Sequence, residues 1–220
     1  MKSKIITIDG PAASGKTTVS RELGKKLSWR WVSTGAFYRG LGYVAKEEEC
    51  NLEDAKALAE LASSDVWEVR LSDDNTLVFY KGEDVTKSIF LEEVGNIASK
   101  ISPYPEVRAA LLDAQRALAD GSGLVAEGRD CGTVVFPNAD LKLYITANSA
   151  DRAKRRAIEQ GESVESIAQE QKKRDHQDQS RTVAPLQVPE GARVIDTSEM
   201  DLNQTIESIL NIVVEELDLL

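Results

Sequence analysis

The sequence predicts an α/β domain built on a mainly parallel sheet, and three observations carry that expectation. Short apolar runs of the kind buried in parallel sheets recur at 124–126, 141–145 and 192–195, with helical patterns between them. A glycine-rich loop joins a β-branched run to a helix near the start of the chain. One hairpin signal interrupts the alternation and reads as an insertion. The length of 220 residues suits this, being about one and a half times the ~150-residue prior for a domain.

The elements follow in order. Residues 4–8 are a β-branched run that ends in a Gly-Pro turn, 17–27 read as a helix, and 30–32 as a second strand. Leu52, Ala55, Leu58, Ala59 and Ala62 mark one face of a helix begun near Asn51. Segments 66–71 and 76–80 alternate with period two across Ser72-Asp73-Asp74-Asn75, the hairpin. Pro105 suits the first position of a helix that runs to about Asp120, with Val107, Leu111, Ala114 and Leu118 on one face and Gly121-Ser122-Gly123 to stop it. Ser149 and Ser163 read as N-caps of two polar helices, and Asn203 as that of the last, 204–217.

Composition narrows the function classes. Hydrophobic residues at 41% and charged residues at 29% are ordinary for a folded protein, and no apolar run approaches the ~18 residues of a membrane span. A net charge of -10 argues against a protein that wraps a nucleic-acid backbone. The charge is uneven: seven of the ten excess negatives lie in 182–220, where eight acidic side chains face one basic. Residues 150–181 instead hold Arg152, Lys154, Arg155, Arg156, Lys172, Lys173, Arg174 and Arg181, which read equally as a solvated helical face or as a binding surface. Cys50 and Cys131 show neither zinc spacing nor disulfide density, and the apolar stretch of MKSKIITIDG is too short for a signal-peptide core; a cytoplasmic location is expected.

Gly10-Pro11-Ala12-Ala13-Ser14-Gly15-Lys16-Thr17 fits G-x-x-x-x-G-K-S/T at every fixed position, between a predicted strand and a predicted helix. Glycines let backbone N–H groups turn inward around phosphate oxygens, and the helix N-terminus adds partial positive charge. Lys16 can reach the β- and γ-phosphates, and the Thr17 hydroxyl can ligate Mg2+. The chain is therefore expected to bind a nucleoside triphosphate. A switch GTPase needs an Asn-Lys-x-Asp motif, and Asn148-Ser149-Ala150-Asp151 lacks the lysine. A motor leaves too little chain for partner domains. A kinase of a small anionic substrate is favoured over these, and a non-catalytic nucleotide-responsive module is the reading from another class.

A kinase of this kind needs arginines outside the phosphate loop, because charge spreads over the equatorial oxygens in phosphoryl transfer and positioned cations are the main resource. Arg39, Arg108 and Arg129 answer that need. Glu127-Gly128-Arg129-Asp130 follows an apolar strand, so it is expected at the carboxyl edge of the sheet, where α/β proteins bind ligands. Arg174, Asp178 and Arg181 share a face if their helix continues, either as a site or as a helix ion pair worth ~0.3–0.5 kcal/mol. His176 lies on another face and reads as a surface residue.

Four separated stretches resemble the bacterial cytidylate kinases, nucleoside monophosphate kinases of the P-loop NTPase class. They are Ile8-Asp9-Gly10-Pro11 with the phosphate loop, Thr34-Gly35-Ala36-Phe37-Tyr38-Arg39, the run from Gly128 to Pro137, and Arg174-Asp175 with the run from Arg181 to Leu186. The resemblance spans essentially the whole chain. It implies a three-layer core with five parallel strands (1–35, 103–148 and 165–220), a monophosphate-binding insertion at 36–102 that carries a small antiparallel sheet, and a short helical lid at 149–164. It implies transfer from ATP to CMP or dCMP, with Mg2+, by a monomer. Transferred residue by residue, Gly10 to Thr18 hold ATP, and Ser99, Arg108 and Asp130 read the cytosine edge. Thr34, Tyr38, Arg174 and Asp178 serve the rest of the nucleoside, while Arg39, Arg129 and Arg181 hold the acceptor phosphate. Arg152, Arg155 and Arg156 look like lid cations. Ser33 and Glu127 each stand where aspartate is usual, and Glu127 retains a water-mediated reach toward Mg2+. Cys131 replaces an aliphatic residue and reads as core.

Overall fold

The computed structural model describes residues 4–72 and 75–217. In chain order these form β1 (Ile5–Asp9), α1 (Lys16–Leu27), β2 (Arg30–Ser33), α2 (Gly35–Glu47), α3 (Ala55–Ala62), β3 (Trp67–Leu71), β4 (Thr76–Tyr80), β5 (Glu83–Asp84), α4 (Glu92–Ile101), α5 (Pro105–Ala117), β6 (Leu124–Gly128), β7 (Leu141–Thr146), α6 (Ser149–Gln160), α7 (Val164–Ser180), β8 (Arg193–Asp196) and α8 (Leu202–Leu217). A five-stranded sheet in the order β2-β6-β1-β7-β8 is parallel throughout, and β3-β4-β5 form a separate antiparallel sheet. The α/β class and the inserted hairpin are as expected, with Val69 opposite Val78. Asp73 and Asp74 of the hairpin turn lie outside the described residues.

Register decides where the site forms. Ser33 pairs with Glu127 and Asp9 with Gly128, so three strands end side by side. The phosphate loop, Ser33-Thr34 and Glu127 to Asp130 therefore leave the sheet at one carboxyl edge, beside β1, where the strand order changes direction. On one face of the sheet α1 and α8 bury Val19, Leu23, Ile209 and Val213 against Ile6, Ile8 and Leu143. On the other, α2 to α5 and the small sheet pack around Phe37, Leu41, Leu58, Ile89 and Leu111.

Several expectations shift. The helix α2 was not foreseen, because Gly35, Gly40 and Gly42 count against a helix at about 1 kcal/mol each relative to Ala. Packing overrides that: a Cβ on Gly40 would stand 2.8 Å from Trp67 of β3. The helix expected near Asn51 starts at Ala55, since the Asp54 carboxylate accepts from the N–H groups of Lys56 and Ala57 at 3.1 and 3.0 Å. Along α5, Val107 and Leu111 are buried but Ala114 is exposed, and Arg108 and Gln115 take the inner face. Ser163 caps α7 as expected, whereas Asn148 rather than Ser149 caps α6. Asp201 rather than Asn203 opens α8, exchanging hydrogen bonds with Gln204 in a reciprocal box.

Candidate active site

The carboxyl edge of the sheet opens into a cleft of about 910 Å³ walled by the phosphate loop, α2, α4, the end of β6 and α7. At its floor the phosphate loop turns tightly. Gly10 has φ +151°, and a Cβ there would collide with the Ile145 carbonyl oxygen at 2.0 Å; Gly15 sits in the left-handed region at φ +85° as the N-cap of α1. The loop thereby points the first turn of α1 at the cleft. Lys16 is buried and donates from Nζ to the Pro11 carbonyl at 2.7 Å. Burial, and then the Arg129 guanidinium, pull its pKa down to about 7.

Beside the loop, Thr17 donates from Oγ1 to Glu127 Oε1 at 3.1 Å, and Ser33 donates to the same oxygen. Thr34 is tied to the Glu127 carbonyl at 3.0 Å. Behind them Asp9, wholly buried, accepts from the N–H groups of Cys131 and Gly132 at 2.7 Å each. It caps the π-helical turn Cys131–Val135 that fixes the Arg129-Asp130 segment. Burial raises the Asp9 carboxyl to about 6 and pushes the Cys131 thiol well up, which leaves Cys131 a core residue.

The far end of the cleft is an assembly of ion pairs. Arg108 of α5 and Asp130 after β6 form a buried pair, with the Arg108 guanidinium 5.4 Å from the centre of the Tyr38 ring. Burial raises the Asp130 carboxyl, and the Arg108 guanidinium opposes that rise. Arg129 donates from Nε to Asp178 Oδ2 at 2.7 Å, while Arg181 lies 3.0 Å from Oδ1 of the same carboxylate. The helix α7 ends at Ser180, so Arg181 is its C-cap and not a continuation of its face. Arg174 pairs with Glu92 of α4, and Arg156 of α6 approaches that carboxylate at 3.8 Å. Arg39 donates to the Ile89 carbonyl at 2.9 Å, and burial followed by the charges of Arg174 and Arg156 lowers its pKa to about 10. Ser99 donates its hydroxyl to the Gly95 carbonyl at 3.0 Å.

The cleft brings together the expected acceptor residues with Ala12, Ala13, Lys16, Thr17 and Thr18 of the donor set, whereas Gly10, Pro11, Ser14 and Gly15 of the loop do not line it. Arg152 does not join it. Its guanidinium is used on the Asp175 carboxylate at 3.2 and 2.6 Å and on the carbonyls of Ala12 and Ala147, so it ties α6 to the phosphate loop. Arg155 faces away, to Thr197 after β8. His176 is exposed on the outside of α7. Glu92 and Gly95 were missed by sequence reasoning, as was any role for Asp9 within its recognised string. Glu92 sits 82 positions from Arg174 with no local pattern to mark it.

Chemically, the arrangement offers a phosphate cradle at one end and clustered guanidinium groups beside a buried Arg–Asp pair at the other. Two phosphate-bearing ligands can meet between them, one end held by backbone and lysine, the other by arginine.

Comparisons with known proteins agree with this geometry. The family model described as cytidylate kinase matches residues 6–215. A cytidylate kinase of Bdellovibrio bacteriovorus is 56% identical over 210 residues, covering 95% of this chain and 97% of the relative. One from a Geobacillus species is 42% identical over 217 residues, covering 96% and 97%. Among solved structures, an uncharacterized protein from Eubacterium ventriosum aligns over 96% of this chain and 98% of its own with a TM-score of 0.54 at 13% identity, a likeness of fold.

Proposed function

The chain belongs to the cytidylate kinase family, which transfers a phosphoryl group from ATP to CMP or dCMP, and from that premise we propose how its residues divide the work. Gly10 to Thr18 hold the ATP phosphates, with Lys16 on the transferred group. Arg39, Arg129 and Arg181 hold the acceptor phosphate. Ser99, Arg108 and Asp130 read cytosine, and Thr34, Tyr38, Arg174 and Asp178 position the nucleoside. Arg156 closes over the triphosphate from the lid side, while Arg152 and Arg155 hold the lid helix to the body.

The observation that carries this reading is the buried Arg108–Asp130 pair at the acceptor end, whose side chains are 8% and 6% exposed. A carboxylate accepts from the cytosine amino group, and a guanidinium donates to the ring nitrogen and carbonyl. Uracil reverses two of these positions and would leave buried groups unpaired, a stronger discrimination than size provides.

No covalent intermediate is needed. The cleft aligns the two phosphates, its cations favour the charge that spreads over the transferred group, and a closed lid keeps water out. Thr17 and Glu127 suit Mg2+, since they place a hydroxyl and a carboxylate oxygen together at the mouth of the phosphate loop. When bound, the ion supplies charge neutralisation on the phosphates. We read the division of the chain as core 1–35, 103–148 and 165–220, acceptor-binding insertion 36–102 and lid 149–164. The small sheet within 36–102 and the α6 helix within 149–164 support that division. We also read the protein as a monomer, as the family resemblance implies, working in the cytoplasm, where free thiols such as Cys50 and Cys131 persist. No helix among the described residues is long and apolar enough to cross a membrane.

Titration of the Asp130→Asn variant with each nucleotide separately tests the assignment. CMP affinity is expected to fall roughly tenfold or more while ATP affinity stays within about twofold. Equal losses for both, with the melting temperature kept, would show that Asp130 does not read the acceptor base.

A further inference from the structure

We propose that Gly95 is a positioning residue for the acceptor phosphate, because the side chain it lacks is what allows the Arg39 guanidinium to lie against α4. The inference rests on the reading of Arg39 as an acceptor-phosphate ligand and adds what holds that ligand in place.

Gly95 is buried within α4 and carries no left-handed φ, so backbone freedom does not explain a glycine there. Helix propensity argues against one, at about 1 kcal/mol relative to Ala. Its space is filled from another helix. A Cβ on Gly95 would stand 2.9 Å from Arg39 Nη2, 3.0 Å from Nη1 and 3.2 Å from Cζ. On its other contacts the guanidinium donates to the Ile89 carbonyl at 2.9 Å and lies 5.7 Å from the centre of the Phe90 ring.

Arg39 differs here from its neighbours. Arg108, Arg129, Arg174 and Arg181 each have a carboxylate to fix them. Among the described residues no carboxylate comes within ion-pair distance of Arg39, whose place is set by a carbonyl, a ring and the bare face of α4. A methyl group at position 95 meets the far end of a flexible side chain and not backbone. The guanidinium gives way and the helix does not, so activity and stability should part company.

The test is a cycle of Gly95→Ala, Arg39→Ala and the double variant, read by steady-state kinetics for CMP and ATP and by melting temperature. In Gly95→Ala, kcat/KM for CMP is expected to fall about tenfold or more, as misplacement by an ångström can cost up to ~10²-fold. KM for ATP should stay within about twofold, and the melting temperature should hold or rise. Added to Arg39→Ala, the same substitution should change CMP kinetics less than about twofold, because the group it displaces is gone. Wild-type kinetics in Gly95→Ala would overturn the proposal, as would an equal loss in both backgrounds or a fall in melting temperature that shows α4 to be what yields. If Arg39→Ala itself leaves CMP kinetics untouched, the assignment of Arg39 fails and the role of Gly95 falls with it.

Discussion

At the donor end of the cleft, one contiguous segment, residues 10–18, supplies the phosphate loop together with Lys16. The acceptor end draws side chains from α2, α4, α5, the end of β6 and α7, and most of its cations already carry a carboxylate of the protein. On the proposed reading the donor end is made by local geometry and would meet phosphate with Lys16, which is buried and forms no ion pair among the described residues. The acceptor end is made by tertiary packing and, on the same reading, would meet its ligand by exchanging partners. Within the phosphate loop Lys16 is the one cation, whereas the other end spreads its task over a network, where single losses are partly absorbed.

The largest expected effect follows from that concentration at the donor end. Lys16→Ala should lower kcat by roughly 10²–10³-fold with the fold retained. Rapid-quench or coupled assays check it, and a loss below tenfold would mean the donor end is as distributed as the acceptor end.

How much of each end can be read before folding is known follows the same division. The phosphate loop is contiguous and flanked by a strand and a helix, so its residues and roles are legible together. Arg129 and Asp130 are legible in place, as the first residues past an apolar strand. Their partners are not. Asp178 and Arg108 could be singled out as charged positions, but that Asp178 bridges Arg129 and Arg181 depends on where α7 lands. Arg152 sits in a basic run like its neighbours, yet it serves Asp175 and the phosphate loop. Helices α2 and α4 hide because glycines and charged residues occupy the faces that build the cleft, which blurs the apolar periodicity that would announce them.

A proton measurement at the donor end sharpens the contrast. Burial, and then the Arg129 charge, depress the Lys16 pKa to about 7, so above that pH the neutral amine gains weight before ligand binds. Bound polyphosphate favours the charged form and raises that pKa, so ATP binding in that range is expected to take up protons. Calorimetry of ATP binding in buffers of different ionisation enthalpy reads the uptake directly. Lys16→Ala should abolish it; uptake that survives the substitution would place the shifted group elsewhere.

The smallest effect lies at the acceptor end and has the opposite sign. Glu92 competes with ligand for Arg174 and Arg156, and its half-open setting limits the pair to ~1 kcal/mol or less. Glu92→Gln should therefore tighten CMP binding about two- to fivefold through Arg174, and ATP binding by less, since Arg156 stands farther from that carboxylate at 3.8 Å. Weaker CMP binding would show that Glu92 orients Arg174 for ligand and does not hold it back.

On the proposed reading, one end of the cleft is built for the phosphates of ATP and the other for a cytosine nucleotide. Relative turnover of CMP, dCMP, UMP and AMP at fixed ATP–Mg2+ tests it most directly. CMP and dCMP should be phosphorylated far faster than UMP and AMP, by roughly a hundredfold in kcat/KM if the buried Arg108–Asp130 pair reads the base. Turnover of AMP or UMP that matches CMP would contradict it.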